Sequence, residues 1–313
     1  AQNLKNTNVG QVTAINVPDD LTKLSRFEPS GLVWNPQSAR YLIVSDDTGL
    51  QNKHEHSPWI FSMSPNGTID PNPIPIQKSG QLKDLESITR NKNGDLYLLS
   101  SQSHSRKGKR SVERTQFLKV SNEANRYNLV ANQSLAQALD TASPEELNAL
   151  GLPSGTRDLE IEAMTYWKDA LYLGLKAPLG PEGRAIIWKL EAPDAFLMTG
   201  KLTEAKLSHW ASVKLPARID EKSVPAGISE LLFLPNGSLM LTSTPSTGDN
   251  GQPTGAVSYI TAPGEGLMQA LTLREFPGLK PEGLSLSANP GHVVIAFDKG
   301  DKTPEWIELP WPE

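Results

Sequence analysis

Five short motifs in this 313-residue chain carry an oxygen donor at the same place. They are Ser30-Gly31-Leu32, Glu86-Ser87-Ile88, Glu162-Ala163-Met164, Ser229-Glu230-Leu231 and Glu282-Gly283-Leu284. In each the second residue is small or polar and the third is Leu, Ile or Met. Three carboxylates brought together repel one another unless they are protonated or neutralised. A hard cation removes that conflict, and two Ser hydroxyls with three Glu carboxylates suit Ca2+, which takes oxygen ligands. A single Glu here would more simply accept backbone N–H bonds from a neighbouring strand; three in register favour the metal. In the fourth motif Glu230 competes with Ser229 for the inward position. Zinc does not fit, because Cys is absent and the five His residues show no paired spacing within the motifs. His54 and His56, on either side of Glu55, read as a solvated loop.

Strands must position these donors. Each motif runs into a second β-patterned stretch: Tyr41-Leu42-Ile43-Val44-Ser45, Leu96-Tyr97-Leu98-Leu99-Ser100, Leu171-Tyr172-Leu173-Gly174-Leu175, Leu239-Met240-Leu241-Thr242 and Val293-Val294-Ile295-Ala296-Phe297. Turn residues lie between them, Asn93-Gly94 being the plainest. Repeats of short strands and turns at this scale are the signature of a β-propeller. The expected fold is all-β: a single five-bladed β-propeller domain of four-stranded antiparallel blades over residues 1–313. The blades fall at about 27–79, 80–140, 156–216, 225–276 and 280–313. The last blade is one strand short, and the alternating segment 11–17 is expected to complete it and close the ring. Inner strands line the channel of a propeller, so the five donors are expected to meet on the axis at one depth. Ser143-Pro144-Glu145-Glu146 predicts a short helix on a rim, with a Ser cap, Pro at the first helical position and an acidic first turn. A long excursion is expected over residues 191–210.

Antiparallel pairing puts the start of each inner strand beside the end of the next strand. The residues leaving the second strands therefore surround a mouth above the ring. Asp46 follows the first, His104 and Arg106 follow the second with Arg114 beyond, and Lys176 ends the third. Thr242-Ser243-Thr244 and Asp298-Lys299 follow the last two. Arg106, Arg114 and Lys176 beside a metal make a clamp for a phosphate or carboxylate. His104 titrates where a general acid or base is useful. The candidate catalytic residues are His104, Arg106, Arg114, Lys176 and Asp46. Inter-blade salt bridging is the plain alternative for Arg106, Lys176 and Asp298. No nucleophile elbow, phosphate loop or serine-triad motif occurs.

A hydrophobic fraction of 37% and a charged fraction of 21% describe a globular domain, and Gly 24 with Pro 25 favour many turns over long helices. The net charge of −5 argues against a nucleic-acid partner. The dense basic run Arg106-Lys107-Gly108-Lys109-Arg110 is a solvated segment or a local anion site. No apolar run approaches membrane-spanning length. Without Cys there are no disulfides and no thiol chemistry. Ala1-Gln2 lacks an initiator Met, which points to a processed, exported protein, periplasmic or secreted. A monomer with a small anionic partner is expected.

Ser103-His104-Ser105-Arg106 with Lys107-Gly108-Lys109-Arg110 and Glu113-Arg114 forms one recognisable pattern. Glu162-Ala163-Met164 with Gly174-Leu175-Lys176-Ala177-Pro178-Leu179 forms another. Together they resemble a bacterial β-propeller family catalogued as a domain of unknown function. That resemblance covers most of the second and third blades and bears on fold, not activity. More distantly, Ser30, Glu86, Glu162, Ser229 and Glu282, with Val44-Ser45-Asp46-Asp47-Thr48-Gly49, are similar to the calcium-activated nucleotidases of the apyrase type. Those are five-bladed propellers with Ca2+ on the axis, and phytase-like and lactonase propellers share the architecture. The resemblance implies a Ca2+-dependent hydrolase of a phosphoanhydride, a phosphoester or another anionic small molecule. Two alternatives stand beside it. One is a Ca2+-stabilised binding or scaffold propeller without turnover; the other is a lactonase or esterase that uses the same ion on a carbonyl.

Overall fold

Short apolar runs bounded by turns pair with their nearest neighbours in sequence, and antiparallel hairpins result. A computed structural model describes residues 9–24, 27–45, 59–104, 107–124, 126–246, 250–300 and 302–312. Its frame is five strands: β1 (Pro29–Asn35), β2 (Leu85–Arg90), β3 (Glu160–Trp167), β4 (Ala226–Phe233) and β5 (Lys280–Leu286). Each pairs antiparallel with the strand that follows: Arg40–Ser45, Leu96–Ser100, Ala170–Ala177, Leu239–Pro245 and His292–Asp298 respectively. The second strands are covered on both faces. Leu96–Ser100 and Leu239–Pro245 are buried at every position. Third and fourth strands extend the sheets outward, and the fold is mostly β and propeller-like.

The core is divided into five layers, each between two successive sheets. Leu42 and Val44 meet Ile88 and Leu98 between the sheets of β1 and β2. Tyr97 and Phe117 meet Met164 and Trp188 in the next layer. Ile187 and Val213 meet Ile228 and Leu241, and Met240 and Val257 meet Ile295 and Phe297. Val294 and Trp306 then meet Leu32 and Tyr41, which returns the series to β1. The five strands touch in the same closed order: β1 packs on β2 and β5, β3 on β2 and β4, and β4 on β5.

The closing sheet draws on both ends of the chain. Thr13 and Ala14 pair with Trp306 and Glu305, outside the hairpin of β5. Gly10 N donates to Glu308 O and Ile15 N to Pro304 O, both at 2.8 Å. The paired stretch is shorter than residues 11–17: by Asn16 the chain has left this sheet and pairs with Thr68, ahead of the helical turn Asp19–Leu24. Ile15 is 1% exposed and lies in the layer with Trp306.

Outer strands and rim elements complete this frame. The outer strands Ile74–Gln77 and Arg126–Ser134 pair in parallel, Ile76 opposite Tyr127, so the first two sheets join into one of eight strands. An outer strand of four residues leaves an edge that a neighbour can cover. The excursion over 191–210 holds two short helices, Pro193–Thr199 and Leu202–Ala205, and the outer strand of the third sheet begins at Leu207. Phe196 and Leu197 of the first helix drop into the layer around Trp188. The rim helix at Pro144–Ala149 carries a full capping box, with Ser143 Oγ accepting from Glu146 N and the Glu146 carboxylate accepting from Ser143 N. No helix among the described residues is long and apolar enough to cross a membrane.

Ile15→Ala should cost about 2–5 kcal/mol, the range for truncating a buried Ile. Deleting residues 1–18 should cost more, because it also uncovers the edge of Glu305–Pro310. Urea unfolding followed by tryptophan fluorescence checks both. A deletion that leaves the midpoint unchanged would show that the seam contributes nothing.

Candidate metal centre

All five inner strands break register at an equivalent place, and β3 breaks once more between Glu160 and Ile161. Pro29 pairs with Ser45 and Gly31 with Val44, so Ser30 has no partner on the adjacent strand. The skipped residues in the other four are Glu86, Glu162, Ser229 and Glu282. A β-bulge leaves one residue out of the ladder and re-aims its side chain. Five bulges at equivalent points turn all five motif donors out of their sheets. One result is a tight acidic group: carboxylate oxygens of Glu86, Glu162 and Glu282 all lie within 4.8 Å of one another. Glu86 is 7% exposed and Glu162 is 9%. The glycine of the first motif follows from the crowding. A Cβ on Gly31 would stand 2.8 Å from Glu86 O, so β1 and β2 could not approach as closely.

The two serines share the bulge position but not the carboxylate group. Ser30 Oγ donates to the Leu85 carbonyl on β2, with Val44 O at 3.2 Å, and so ties β1 to its neighbour. Ser229 Oγ is 3.0 Å from Thr244 Oγ1 on the paired strand. Glu230 faces inward as well, one residue on. Its carboxylate accepts from Ser87 Oγ on β2 at 2.9 Å and from Met164 N on β3 at 3.0 Å. Glu230 thus reaches across to β2 and β3, while Ser229, at the bulge, bonds within its own sheet.

Burial dominates the electrostatics. It pushes the Glu162 carboxyl well above the usual range, helped by the charge of Glu282. It raises Glu282 to about 8, with Lys176 opposing, and it raises Glu230 as well. Glu162 Oε2 is fully buried with no hydrogen-bond partner among the described residues. An orphaned carboxylate oxygen aimed into an all-oxygen cluster is what a hard cation would satisfy. Lys176 supplies a positive charge beside the group. Its ammonium donates to Thr244 Oγ1, and it acts on both Glu162 and Glu282.

The mouth is more self-contained than its composition suggests. Arg114 Nη1 is 3.2 Å from Asp84 Oδ2, which also accepts from the Ser101 hydroxyl. Arg110 donates to Gln102 O at 3.0 Å and Thr156 O at 2.6 Å, with Asp140 at 3.6 Å. Burial, then the nearby Arg110 charge, lowers the His104 imidazole; the other charges acting on it are Asp140, Arg157 and Asp158, none of them in the ring. Asp298 stands opposite Lys280 across the strand pair. Asp46 and Arg106 lie outside the described residues. Two acidic residues escaped the sequence reading. Asp84 and Glu160 each precede a ring Glu by two positions, Glu160 within its strand and Asp84 just ahead of β2, and Glu160 acts on the Glu162 carboxyl. The i−2 spacing was the available signal.

No protein-family model and no curated protein matches the chain. Among solved structures it is similar to a member of the GH130 family of mannoside phosphorylases, described among glycoside hydrolases that target β-1,2 mannosidic linkages in Candida mannan. That likeness has a TM-score of 0.51 and 10% identity, over 91% of this chain and 84% of the other. It is also similar to a gluconolactonase from Xanthomonas campestris (TM-score 0.43, 12% identity, 98% and 92% covered). A soluble aldose sugar dehydrogenase from Escherichia coli matches with TM-score 0.46 and 10% identity over 96% and 99%. The first likeness speaks for the fold, and the others add no argument about chemistry.

The raised Glu282 carboxyl has a consequence for stability. Its ordinary value is 4.5 and its folded value about 8, so the folded protein holds a proton that the unfolded chain releases. Stability from this group is fully present below about pH 4.5 and is lost as pH rises through about 8. The melting temperature measured in excess chelator should therefore fall across that window, and Glu282→Gln should flatten the fall. An identical slope in the variant would contradict the assignment.

Proposed function

We propose that the chain is a five-bladed propeller that holds Ca2+ on its axis and hydrolyses a carbonyl ester, with lactones as the first substrate class to test. The closed series of five inner strands and five core layers supports the blade count. One observation carries the site: three carboxylates from three different strands converge within 4.8 Å, each delivered by a bulge. Glu86, Glu162 and Glu282 would hold the ion, with Ser30 and Ser229 at the same level. A bound divalent cation supplies Lewis acidity toward a carbonyl oxygen and favours hydroxide over water.

The choice of carbonyl over phosphoryl substrates rests on the cations. A phosphoanhydride brings several negative charges and needs donors free to meet them. Arg114 is committed to Asp84, Arg110 to Gln102, Thr156 and Asp140, and Lys176 to Thr244 and the ring. A neutral or singly charged carbonyl compound makes no such demand. In this reading Arg114 pairs with Asp84 at the wall of the mouth, and Ser101 and Ser103 hold its carboxylate in place. An extracytoplasmic setting belongs to the same proposal, since weak Ca2+ sites fill where the ion is plentiful.

A second reading has its own support. Three strands meeting at one ion would be tied together whether or not turnover occurs, as in a Ca2+-stabilised scaffold. Hydrolysis assays on lactones, aryl esters, nucleotides and phosphomonoesters, with Ca2+ and with chelator, separate the two. Chelator-sensitive lactone or ester hydrolysis, lost in Glu162→Gln, is the expected result. A Ca2+-dependent melting temperature without turnover on any substrate would favour the scaffold. Turnover confined to phosphate esters would restore the phosphohydrolase.

A further inference from the structure

The geometry points to Lys176 as a built-in counter-cation of the acidic ring, and not as a substrate clamp. The inference rests on the reading of the ring as a metal site. It begins with where the side chain goes. Lys176 lies near the end of Ala170–Ala177, at the mouth, yet its ammonium is held by Thr244 Oγ1. Thr244 Oγ1 is in turn 3.0 Å from Ser229 Oγ, the ring donor of β4. Lys176 is therefore anchored beside the bulge of β4, where the ring position carries a hydroxyl.

The backbone is built for this placement. A Cβ at position 227 would stand 2.2 Å from Lys176 O and 2.8 Å from its Cα, so Gly227 lets Lys176 pack directly against the start of β4. From there its charge acts on Glu162 and Glu282, two of the three acidic members.

The role follows from an excess of acid. Glu86, Glu162 and Glu282 lie within 4.8 Å of one another, Glu230 is buried beside them, and the charge of Glu160 acts on two of the three, so carboxylates outnumber the ammonium. Lys176 offsets part of that excess, and a divalent ion offsets more of it. Before the ion binds, the same ammonium relieves the repulsion among the carboxylates.

Removing the ammonium makes the ring one unit more negative. Coulomb energy scales with ionic charge, so the gain should be larger for Tb3+ than for Ca2+. Calorimetric titration of chelator-stripped protein with each ion tests this. Lys176→Met should bind Ca2+ at least about tenfold tighter than wild type, and its gain for Tb3+ should be about 1.5 times as large on a logarithmic scale. Its melting temperature in chelator should drop, and the drop should vanish with Ca2+. Thr244→Val keeps the charge but frees the ammonium to leave the ring, and should give a smaller gain in the same direction. That variant serves as the test should Lys176→Met not fold. Wild type and variants binding both ions equally would overturn the counter-cation alone. A wild type that binds neither ion would overturn the metal reading and this inference with it.

Discussion

Mutual repulsion among three converging carboxylates, two of them buried and one half-buried, is the constraint on which this molecule depends. Two like charges a few ångströms apart in a poorly hydrated interior repel by several kcal/mol, on the order of 4 at an effective dielectric of 20. The protein offers three means of relief in the one place: a raised affinity for protons at Glu162 and Glu282, an ammonium from Lys176, and room for an ion. Protons and a metal ion compete for the same oxygens, so metal uptake should displace protons. The sheets themselves gain nothing from this arrangement, and a ring of apolar residues would close the axis more simply. Keeping the acids therefore argues for use.

The bulges make that use structural. A regular strand would direct alternate side chains into the inter-sheet layers. Each bulge takes one residue out of the alternation and points it along the axis instead, while the apolar residues on either side stay in their layers. In β3, Ile161 and Met164 remain in the core while Glu162 between them joins the acidic group. The repetition of this device five times explains why the motifs look alike.

That repetition is also why much was legible in the amino-acid order. Each inner strand solves the same local problem, so Glu86, Glu162 and Glu282 could be aligned without knowing how the sheets pack. The rim helix was equally local, because Ser143, Pro144 and Glu146 carry their own capping chemistry. Features that depend on neighbours distant in sequence were not visible. Lys176 reads as a mouth residue, and only the contact with Gly227 and Thr244 turns it onto the ring. Arg114 reads as a free cation until Asp84, thirty residues earlier, is found beside it. The parallel pairing of Ile76 with Tyr127 likewise depends on two sheets meeting at their outer edges.

The seam has a temporal meaning as well as a spatial one. Thr13 is among the first described residues to be synthesised and its partner Trp306 among the last. At roughly 5–20 residues per second, a ribosome would leave that edge waiting on the order of 15–60 s. During that interval four sheets can form from contacts local in sequence, but none of them can become part of a closed circle. The nascent chain is an open arc with a bare β-edge at each end, able to add a strand from another chain. Completion then depends on one intramolecular encounter across nearly the whole polypeptide, which makes ring closure a concentration-sensitive race between self-recognition and association.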